Sequence, residues 1–346
     1  MEQLLFSIII PIYNAENNIS KMIKRLKKID GEDYEIILVN DGSFDRTRQI
    51  LENLTIKDKR FHVFTTKNQG PGLARNYGLK RSSGKYILFF DSDDTLNENI
   101  LEDYRELLKK NPDTDLIISS FTFRSRSEEC IVSEKNYVVE GKKYTTQQDF
   151  FDDIYYLMNK QMMYVVWNKC YRNDLIANKN IQFENYQSCE DRIFNLEYFK
   201  HCERVVLNKK IEYFYEFDGG KGITNKYHDK KFESFKKFYK LTNQILEERN
   251  EEGVASLFLK GVTSVLFSII QNDEFSTTQK KEILQKILDD EDILKAKKIA
   301  IADTKIKRLT KFLYNSPSIV FVALLHIGSF VETKMPGIMA FFKRVY

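Results

Sequence analysis

Cysteine, histidine and tryptophan are scarce in this sequence of 346 residues, which contains four, four and one of them. The cysteines form neither a CxxC pair nor another metal-ligand spacing, so we predict free thiols in a reducing compartment and no zinc site. A GxGxxG fingerprint and a GxxxxGK[ST] loop are also missing from the sequence. Their absence disfavours a nicotinamide-dependent dehydrogenase and a P-loop ATPase.

The N-terminus lacks the basic segment and the small-residue cleavage site of a secretion signal, so we expect a cytoplasmic protein. Hydrophobic residues make up 42% and charged residues 30%, as in ordinary folded soluble chains. The net charge is +4, yet residues 301–346 carry seven Lys and Arg against two Asp and Glu. A nearly neutral body with a basic tail disfavours nucleic acid as a partner and favours anionic lipid.

Short apolar runs alternate with helical patterns in the first 120 residues. Strands are predicted at 5–12, 34–40, 61–65, 85–90 and 115–119, and helices at 15–29, 45–54, 70–81 and 98–110. Continuous apolar strands joined by helices indicate an α/β fold, with a mostly parallel sheet covered by helices on both faces. Further predictions are a hairpin at 121–140, a helix at 145–160, two short strands at 204–216, and helices from residue 229 onward.

Polar residues follow four of these strands at their carboxyl ends, where open α/β sheets bind their ligands. These segments are Pro11 to Asn14, Asn40 to Ser43, Lys67 to Gly72, and Asp91 to Asp94. The sheet should therefore bring them together in one crevice.

The last segment places three carboxylates, those of Asp91, Asp93 and Asp94, within four residues. Carboxylates this close raise one another's pKa or recruit a cation, and oxygen ligands favour Mg²⁺ or Mn²⁺. A bound diphosphate could complete the coordination of such an ion. The alternative is that Asp93 or Asp94 caps the next helix.

Two other residues could hold parts of a nucleotide. Asp41 could accept a hydrogen bond from a nucleobase imide, or it could belong to an ordinary Asp-Gly turn. Arg75 lies one turn into a helix that starts with small residues, where it could reach a phosphate or simply be solvated.

Together these segments resemble family 2 glycosyltransferases, whose members have the Rossmann-like GT-A fold. The resemblance rests on Ser7 to Asn14, Asn40 to Ser43, Asn68 with Gly70, Ala74 to Asn76, and Gly84 to Tyr86 ahead of Asp91 to Asp94. It implies a UDP-sugar donor, with Asp41 at the base, Asp91 near the ribose and Asp93 as the ligand of Mg²⁺ or Mn²⁺. Many relatives carry Asp where this chain has Asn40, but the expected base contact, Asp41, is present. The predicted donor-binding residues are Pro11, Tyr13, Asn14, Asp41, Asn68, Gly70, Arg75, Asp91, Ser92, Lys221 and Thr224.

Two later segments, Trp167 to Tyr171 and Glu190 to Phe194, resemble the acceptor half of the family. The resemblance implies that Asp191 is the catalytic base and that Trp167, Lys169 and Glu190 contact the acceptor. Alternatively, Trp167 could belong to the core. Glu190 and Asp191 could instead be helix N-terminal charges, a position that would lower the pKa of Asp191.

A glycine-rich segment near residue 220 resembles the loop that closes over the donor phosphates in the family. Lys221 and Thr224 are its predicted phosphate contacts, and the glycines would let it move. His228 could supply a third metal ligand beside Asp91 and Asp93, although a lone histidine is more often an ordinary surface residue.

The resemblance divides the chain into a GT-A domain at 1–225 and a helical C-terminal region at 226–346. The first comprises a nucleotide-binding half, 1–95, and an acceptor half, 96–225. Within the second, residues 305–346 form a basic and apolar tail, in which Ser316 and Pro317 predict a helix start. Its apolar run, 318–331, is short for a membrane span of about 20 residues. It predicts a monotopic anchor, or a helix packed on the body or on a second subunit.

The leading hypothesis is therefore an inverting transferase that builds a cell-surface glycan at the inner face of the cell membrane, on a glycan or lipid-linked acceptor. One alternative is a transferase that decorates a polymer such as teichoic acid. Another is a catalytically silent module that binds nucleotide sugars. A nucleotidyltransferase is disfavoured, since it should carry a glycine-rich loop after its first strand.

Overall fold

The computed structural model describes residues 4–127, 130–217, 227–247 and 249–334. The chain divides into two compact units, Met1–Lys221 and Gly222–Tyr346. A sheet of ten strands forms the centre of the first unit, and helices make up the second.

The first four strands are parallel, as the apolar runs predict. They are β1 (Phe6–Ile12), β2 (Tyr34–Asn40), β3 (Phe61–Thr65) and β4 (Tyr86–Phe89), in the order β3-β2-β1-β4. Every residue of β1, β2 and β4 is buried, which explains their unbroken apolar sequences. The helices that connect and follow them are α1 (Ile19–Leu26), α2 (Thr47–Thr55), α3 (Pro71–Leu79) and α4 (Ile100–Lys110).

The second half of the sheet mixes strand directions. Its strands are β5 (Thr95–Leu96), β6 (Leu116–Ser127), β7 (Cys130–Tyr137), β8 (Lys142–Tyr144), β9 (Lys169–Arg172) and β10 (Val205–Phe217). Strand β9 lies between β4 and β6 and is antiparallel to both, so β6 and β10 continue the direction of β1 to β4. The helices here are α5 (Gln147–Asn159), α6 (Asn173–Asn178) and α7 (Glu190–Phe199).

Strands β6 and β10 differ from the sequence prediction. The predicted strand at 115–119 continues to Ser127, because β6 pairs with β10 on one side and forms the predicted hairpin with β7 on the other. The two short strands predicted at 204–216 are one strand, β10, whose register with β6 shifts on either side of Ile211. Such irregularities bend a strand without ending it.

The second unit is built around one apolar helix, as the predicted helical region requires. Its helices are α8 (Lys231–Leu246), α9 (Glu251–Ile270), α10 (Thr277–Leu288), α11 (Glu291–Ile299), α12 (Lys305–Asn315) and α13 (Ser318–Lys334). Helix α9 packs against α8 and against each of α10 to α13. Among the described residues it is the one helix long and apolar enough to cross a membrane, but 67% of that stretch is buried inside the protein. Its apolar character is therefore explained by its place in the core.

Candidate functional site

Asp41 directly follows the last residue of β2, at the carboxyl end of that strand. Its carboxylate accepts hydrogen bonds from the Thr66 hydroxyl (3.0 Å) and from the backbone N–H groups of Gln69 and Gly70 (3.1 and 2.7 Å). The Gln69 N–H lies 3.1 Å from each oxygen, so both oxygens of Asp41 already accept two hydrogen bonds, and a nucleobase imide would have to share or replace one of them. Asp41 is thus more than part of a turn, because it also fixes the loop between β3 and α3.

The loop after β2 approaches the loop after β3 very closely. A Cβ atom at Gly42 would lie 2.7 Å from the backbone nitrogen of Asn68, and Gly42 has a φ of +71°. Only glycine satisfies both conditions, which explains the Asp-Gly pair. The same loop is held from β1, because the Asn14 side chain accepts a hydrogen bond from the Phe44 N–H (3.1 Å).

Tyr13 and Phe44 form an exposed aromatic pair beside Asp41. Their ring centroids are 6.1 Å apart, and the rings lie edge to face. Exposed aromatic rings at the ends of β1 and β2 offer a surface on which a nucleobase could stack, while Pro11 is buried within β1. The sequence prediction included Tyr13 but missed Phe44, whose only signal was a large aromatic residue inside a turn.

Arg75 links the nucleotide-binding half to the acceptor half. Its guanidinium donates hydrogen bonds to Asp91 Oδ1 and to Asp191 Oδ1, both at 2.8 Å, and lies 3.7 Å from Glu190 Oε1. Burial alone would lower the pKa of Arg75, but the carboxylates of Asp191, Asp91 and Glu190 raise it overall. Arg75 is therefore a permanent buried cation at the centre of the site, rather than a solvated residue of α3.

Glu190 and Asp191 occupy the first two positions of α7. Burial raises the pKa of Asp191 despite the opposing effect of Arg75, so the decrease predicted from the helix N-terminus is wrong. Burial, with the charge of Asp191, raises the pKa of Glu190 to about 7. Two adjacent carboxyl groups with raised pKa values beside a fixed cation are typical of a general acid–base site.

The acidic cluster after β4 contains residues in different environments. Asp94 is buried, accepts hydrogen bonds from the Tyr213 hydroxyl (2.7 Å) and the Glu216 N–H (2.8 Å), and does not cap a helix, because β5 follows it. Burial, then the charges of Asp93 and Asp91, raise the pKa of Asp94 well above its usual value. Ser92 is half-buried and Asp93 is exposed. Asp94 is thus a structural residue that ties β10 to this turn.

The carboxylates of the acidic cluster could hold a divalent ion only together with oxygen atoms of a bound substrate. Among the described residues, no group of three or more His, Cys, Asp or Glu side chains is placed to hold a metal. Magnesium, however, is usually held by one or two carboxylates together with substrate phosphates. Exposed Asp93 could supply one carboxylate, and the Asp91 oxygen not bonded to Arg75 could supply another. The donor set therefore suits an ion that arrives with a diphosphate.

Two residues predicted to contact the acceptor are part of the core instead. Trp167 is 4% exposed and stacks on Tyr213, with ring centroids 4.5 Å apart. Lys169 is completely buried, and its ammonium donates hydrogen bonds to the carbonyl oxygens of Met162 and Val165 and to Asn168 Oδ1, at 2.5–2.8 Å. Neither side chain can reach an acceptor, so both predictions were wrong.

The charge of Lys169 nevertheless affects the pKa of Asp191. Burial lowers the pKa of Lys169. Three oxygen acceptors require three hydrogens, however, and only a protonated ammonium supplies them. The hydrogen bond from Asn168 Nδ2 to the Ser119 carbonyl oxygen (3.1 Å) fixes Asn168 Oδ1 as an acceptor. Lys169 is therefore charged, and its charge favours the ionised form of Asp191.

The remaining predicted residues are Lys221, Thr224, His228, Asn68 and Gly70. Lys221 and Thr224 lie outside the described residues. His228 belongs to the second unit, just before α8, and its role as a metal ligand stays a prediction. Asn68 is exposed in the loop held by Asp41. Gly70 immediately precedes α3, has a φ of +94°, and donates its N–H to Asp41.

A comparison with known families identifies the fold that carries this site. The sequence model of the family described as Glycosyl transferase family 2 matches residues 7–171. The match covers slightly less than half of the chain, and residues 7–171 are similar to a family 2 glycosyltransferase domain. The matched range includes the strand ends, Arg75 and the acidic cluster described above. Helix α7, with Glu190 and Asp191, follows it in the sequence.

Named relatives support the same assignment. The glycosyltransferase EpsJ of Bacillus subtilis is 32% identical over 212 residues, which are 61% of this chain and 60% of EpsJ. The poly(ribitol-phosphate) β-N-acetylglucosaminyltransferase TarS of Staphylococcus aureus is 28% identical over 288 residues, which are 80% of this chain and 47% of TarS. The chain thus matches less than two thirds of the length of either relative.

The crystal structure of S. aureus TarS 1-349 in complex with UDP-GlcNAc shares the architecture of this chain. The two match with a TM-score of 0.63 at 20% identity, over 96% of this chain and 92% of the other. This similarity confirms the predicted GT-A fold with its helical C-terminal region.

Proposed function

We propose that the chain is an inverting glycosyltransferase that moves a sugar from a UDP-sugar donor to a glycan or lipid-linked acceptor in cell-surface polysaccharide synthesis. The observation that carries the proposal is the position of Arg75, which binds the donor-side carboxylate of Asp91 and the acceptor-side carboxylate of Asp191 at once. Donor and acceptor groups would therefore meet at one guanidinium. The ligand of the TarS complex, UDP-GlcNAc, supports a UDP-sugar as the donor class.

In the proposed reaction, Asp191 takes the proton of the acceptor hydroxyl as that oxygen attacks the anomeric carbon. Its side chain is 19% exposed, which leaves it accessible to the acceptor. The raised pKa of Asp191 makes it a stronger base than an ordinary aspartate. Because UDP leaves from the opposite face, a single displacement inverts the anomeric carbon.

Asp41, with Tyr13 and Phe44 beside it, would hold the uracil, and Asp91 would contact the ribose. A divalent ion held by Asp93 and Asp91 would neutralise the charge that develops on the leaving diphosphate. Arg75 keeps Asp91 and Asp191 in place, so its predicted contact with a phosphate would have to be made alongside two ion pairs. We place the enzyme at the inner face of the cell membrane, where lipid-linked acceptors are available.

Two other functions make different predictions. A transferase that decorates a polyol-phosphate polymer would share the donor site, and the name of TarS favours such an acceptor. A silent module would bind the donor without turning it over. The paired raised pKa values of Glu190 and Asp191 favour an active enzyme, because binding alone does not need them.

The test compares wild type with Asp191→Asn on a panel of UDP-sugars, with Mn²⁺ and a mixture of glycan, lipid-linked and polyol-phosphate acceptors. We expect the variant to bind UDP as wild type does in calorimetry. Transfer should fall at least about 100-fold, since general-base catalysis typically contributes 10²–10⁴-fold. An active Asn variant would remove Asp191 from the base role, and a wild type that binds UDP-sugars without turnover would support the silent module.

A further inference from the structure

Helices α12 and α13 expose an unusual amount of apolar surface. Six large side chains are between 37% and 84% exposed, namely Leu309, Phe312, Ile319, Val320, Leu324 and Ile327. Scattered exposed apolar residues are normal, but a continuous apolar patch marks an interaction site. We call these six side chains the α12–α13 apolar face.

On α12 the exposed residues form one stripe. Lys305, Arg308, Leu309 and Phe312 follow the spacing i, i+3, i+4, i+7, so they lie on the same side of the helix. Thr310 and Tyr314 lie on the other side and are buried. The outer side of α12 therefore combines two large apolar side chains with two exposed basic ones.

On α13 the apolar residues divide between two sides. Phe321 and Leu325 are buried, and the Phe321 ring lies 4.9 Å from that of Tyr314. A Cβ atom at Gly328 would come within 3.0 Å of the Phe267 ring, so α13 lies close against α9. The inner side thus attaches α13 to its unit. The outer side, with Ile319, Val320, Leu324 and Ile327, is not needed for that attachment.

We propose that the α12–α13 apolar face binds the surface of an anionic lipid bilayer. Its apolar side chains would enter the boundary between headgroups and acyl chains, while Lys305 and Arg308 bind acidic headgroups. Helix α9 does not compete as the membrane-binding element, because it lies in the core.

The charges favour a bilayer over a second copy of this chain. A symmetric dimer joins the same surface of both subunits, so a dimer through the α12–α13 apolar face would bury Lys305 and Arg308 of each copy together with their charges. Helix α12 offers no acid to pair with them, because its sequence from Lys305 to Asn315 contains none, and the nearby Asp303 is paired with Lys307 (2.9 Å). An anionic surface instead neutralises both basic residues. This proposal goes beyond the transfer reaction and does not depend on it.

The test measures sedimentation of the full chain with vesicles of phosphatidylcholine, alone or mixed with an equal part of phosphatidylglycerol. We expect binding to the mixed vesicles. The triple variant Phe312→Ser, Ile319→Ser, Ile327→Ser should lower the bound fraction at least about tenfold, because it removes apolar area from the contact. Lys305→Ser with Arg308→Ser should weaken binding to the mixed vesicles, and high salt should mimic that loss.

Ile56→Ser is the matched control, because Ile56 is also a large exposed apolar residue, 81% exposed, but lies at the end of α2 in the first unit. It should bind as wild type does. Point substitutions are preferable to truncation after Thr310, which would remove the buried residues Tyr314, Phe321 and Leu325. Equal binding by the triple variant would overturn the proposal. So would a wild-type dimer in light scattering that the triple variant converts to monomer without any vesicle binding.

Discussion

At the scale of single residues, Arg75 controls the ionisation of the proposed base. It lowers the pKa of Asp191, against the burial that raises it. We therefore expect Arg75→Gln to raise the pKa of Asp191. The acidic limb of kcat/KM, where Asp191 becomes protonated and inactive as the pH falls, should move to higher pH. A neighbouring charge of this kind shifts a pKa by about 1–3 units, and the measurement is a pH–rate profile with saturating metal.

Arg75→Lys is the matched control, since it keeps the charge but cannot bridge Asp91 and Asp191 with a planar fork. It should lower kcat while leaving the acidic limb nearly in place. An equal shift of the acidic limb in both variants would show that the geometry of the Arg75 side chain, and not its charge, determines the pH at which activity is lost. Melting curves are needed for both, because breaking a buried ion pair costs about 3–5 kcal/mol.

Residue types and spacing predicted which residues meet at the site but not which are accessible. Asp41 and Asp91 were predicted to lie in one crevice because parallel strands end at a common edge, whereas Asp191 was assigned from the family resemblance. Trp167 and Lys169 were assigned wrongly, because polar or aromatic character does not reveal burial. The backbone oxygens that satisfy the Lys169 ammonium come from the segment just before it, and a sequence pattern does not show such a loop.

At the scale of elements, β9 and α7 are joined through the loop at 162–168. Asn195 of α7 donates hydrogen bonds to the carbonyl oxygens of Met163 and Val165, at 3.1 and 3.0 Å. Its own oxygen accepts from the Tyr171 hydroxyl of β9 (2.6 Å). Lys169 binds the same loop from β9. The N-terminus of α7, with Asp191, is thereby fixed against the sheet.

We expect Lys169→Met to lower the free energy of unfolding by about 3 kcal/mol, because it leaves buried carbonyl oxygens without a donor. Transfer activity should fall further than donor binding, since the variant loosens α7 and not the strand ends around Asp41. Denaturation and UDP titration measure the two effects. Lys160→Met is the control, because Lys160 is exposed at the end of α5, and it should change neither quantity. A Lys169→Met protein with wild-type stability would contradict the role given to the buried ammonium.

The helices and strands were predictable where the hydrophobic residues follow one regular spacing along the sequence. Strands β1, β2 and β4 are buried on both faces, so their apolar runs are unbroken, and the positions of β1 to β4 were predicted almost to the residue. Strand β9 was not predicted, because its four residues, Lys169 to Arg172, include two charged ones and show no alternation. It is held by pairing with β4 and β6, a long-range contact that no local pattern reports.

At the scale of the whole molecule, donor binding and folding stability are linked. A ligand that binds only the folded protein, at 100 times its dissociation constant, stabilises it by about 2.7 kcal/mol. For a unit the size of the first one, this corresponds to a rise in Tm of roughly 5–10 °C. We expect UDP with Mn²⁺ to produce such a rise in differential scanning fluorimetry, and UDP with EDTA to produce a much smaller one.

Asp93→Ala should remove the difference between Mn²⁺ and EDTA, because the exposed carboxylate of Asp93 is the predicted protein ligand of the ion. Asp113→Ala is the control, since Asp113 is also an exposed aspartate of the first unit but lies after α4, away from the acidic cluster. It should respond as wild type does. An equal rise in Mn²⁺ and EDTA for the wild type would show that UDP binds without a metal bridge. The diphosphate would then have to be neutralised by protein cations, and Arg75 is the buried one nearest to Asp91.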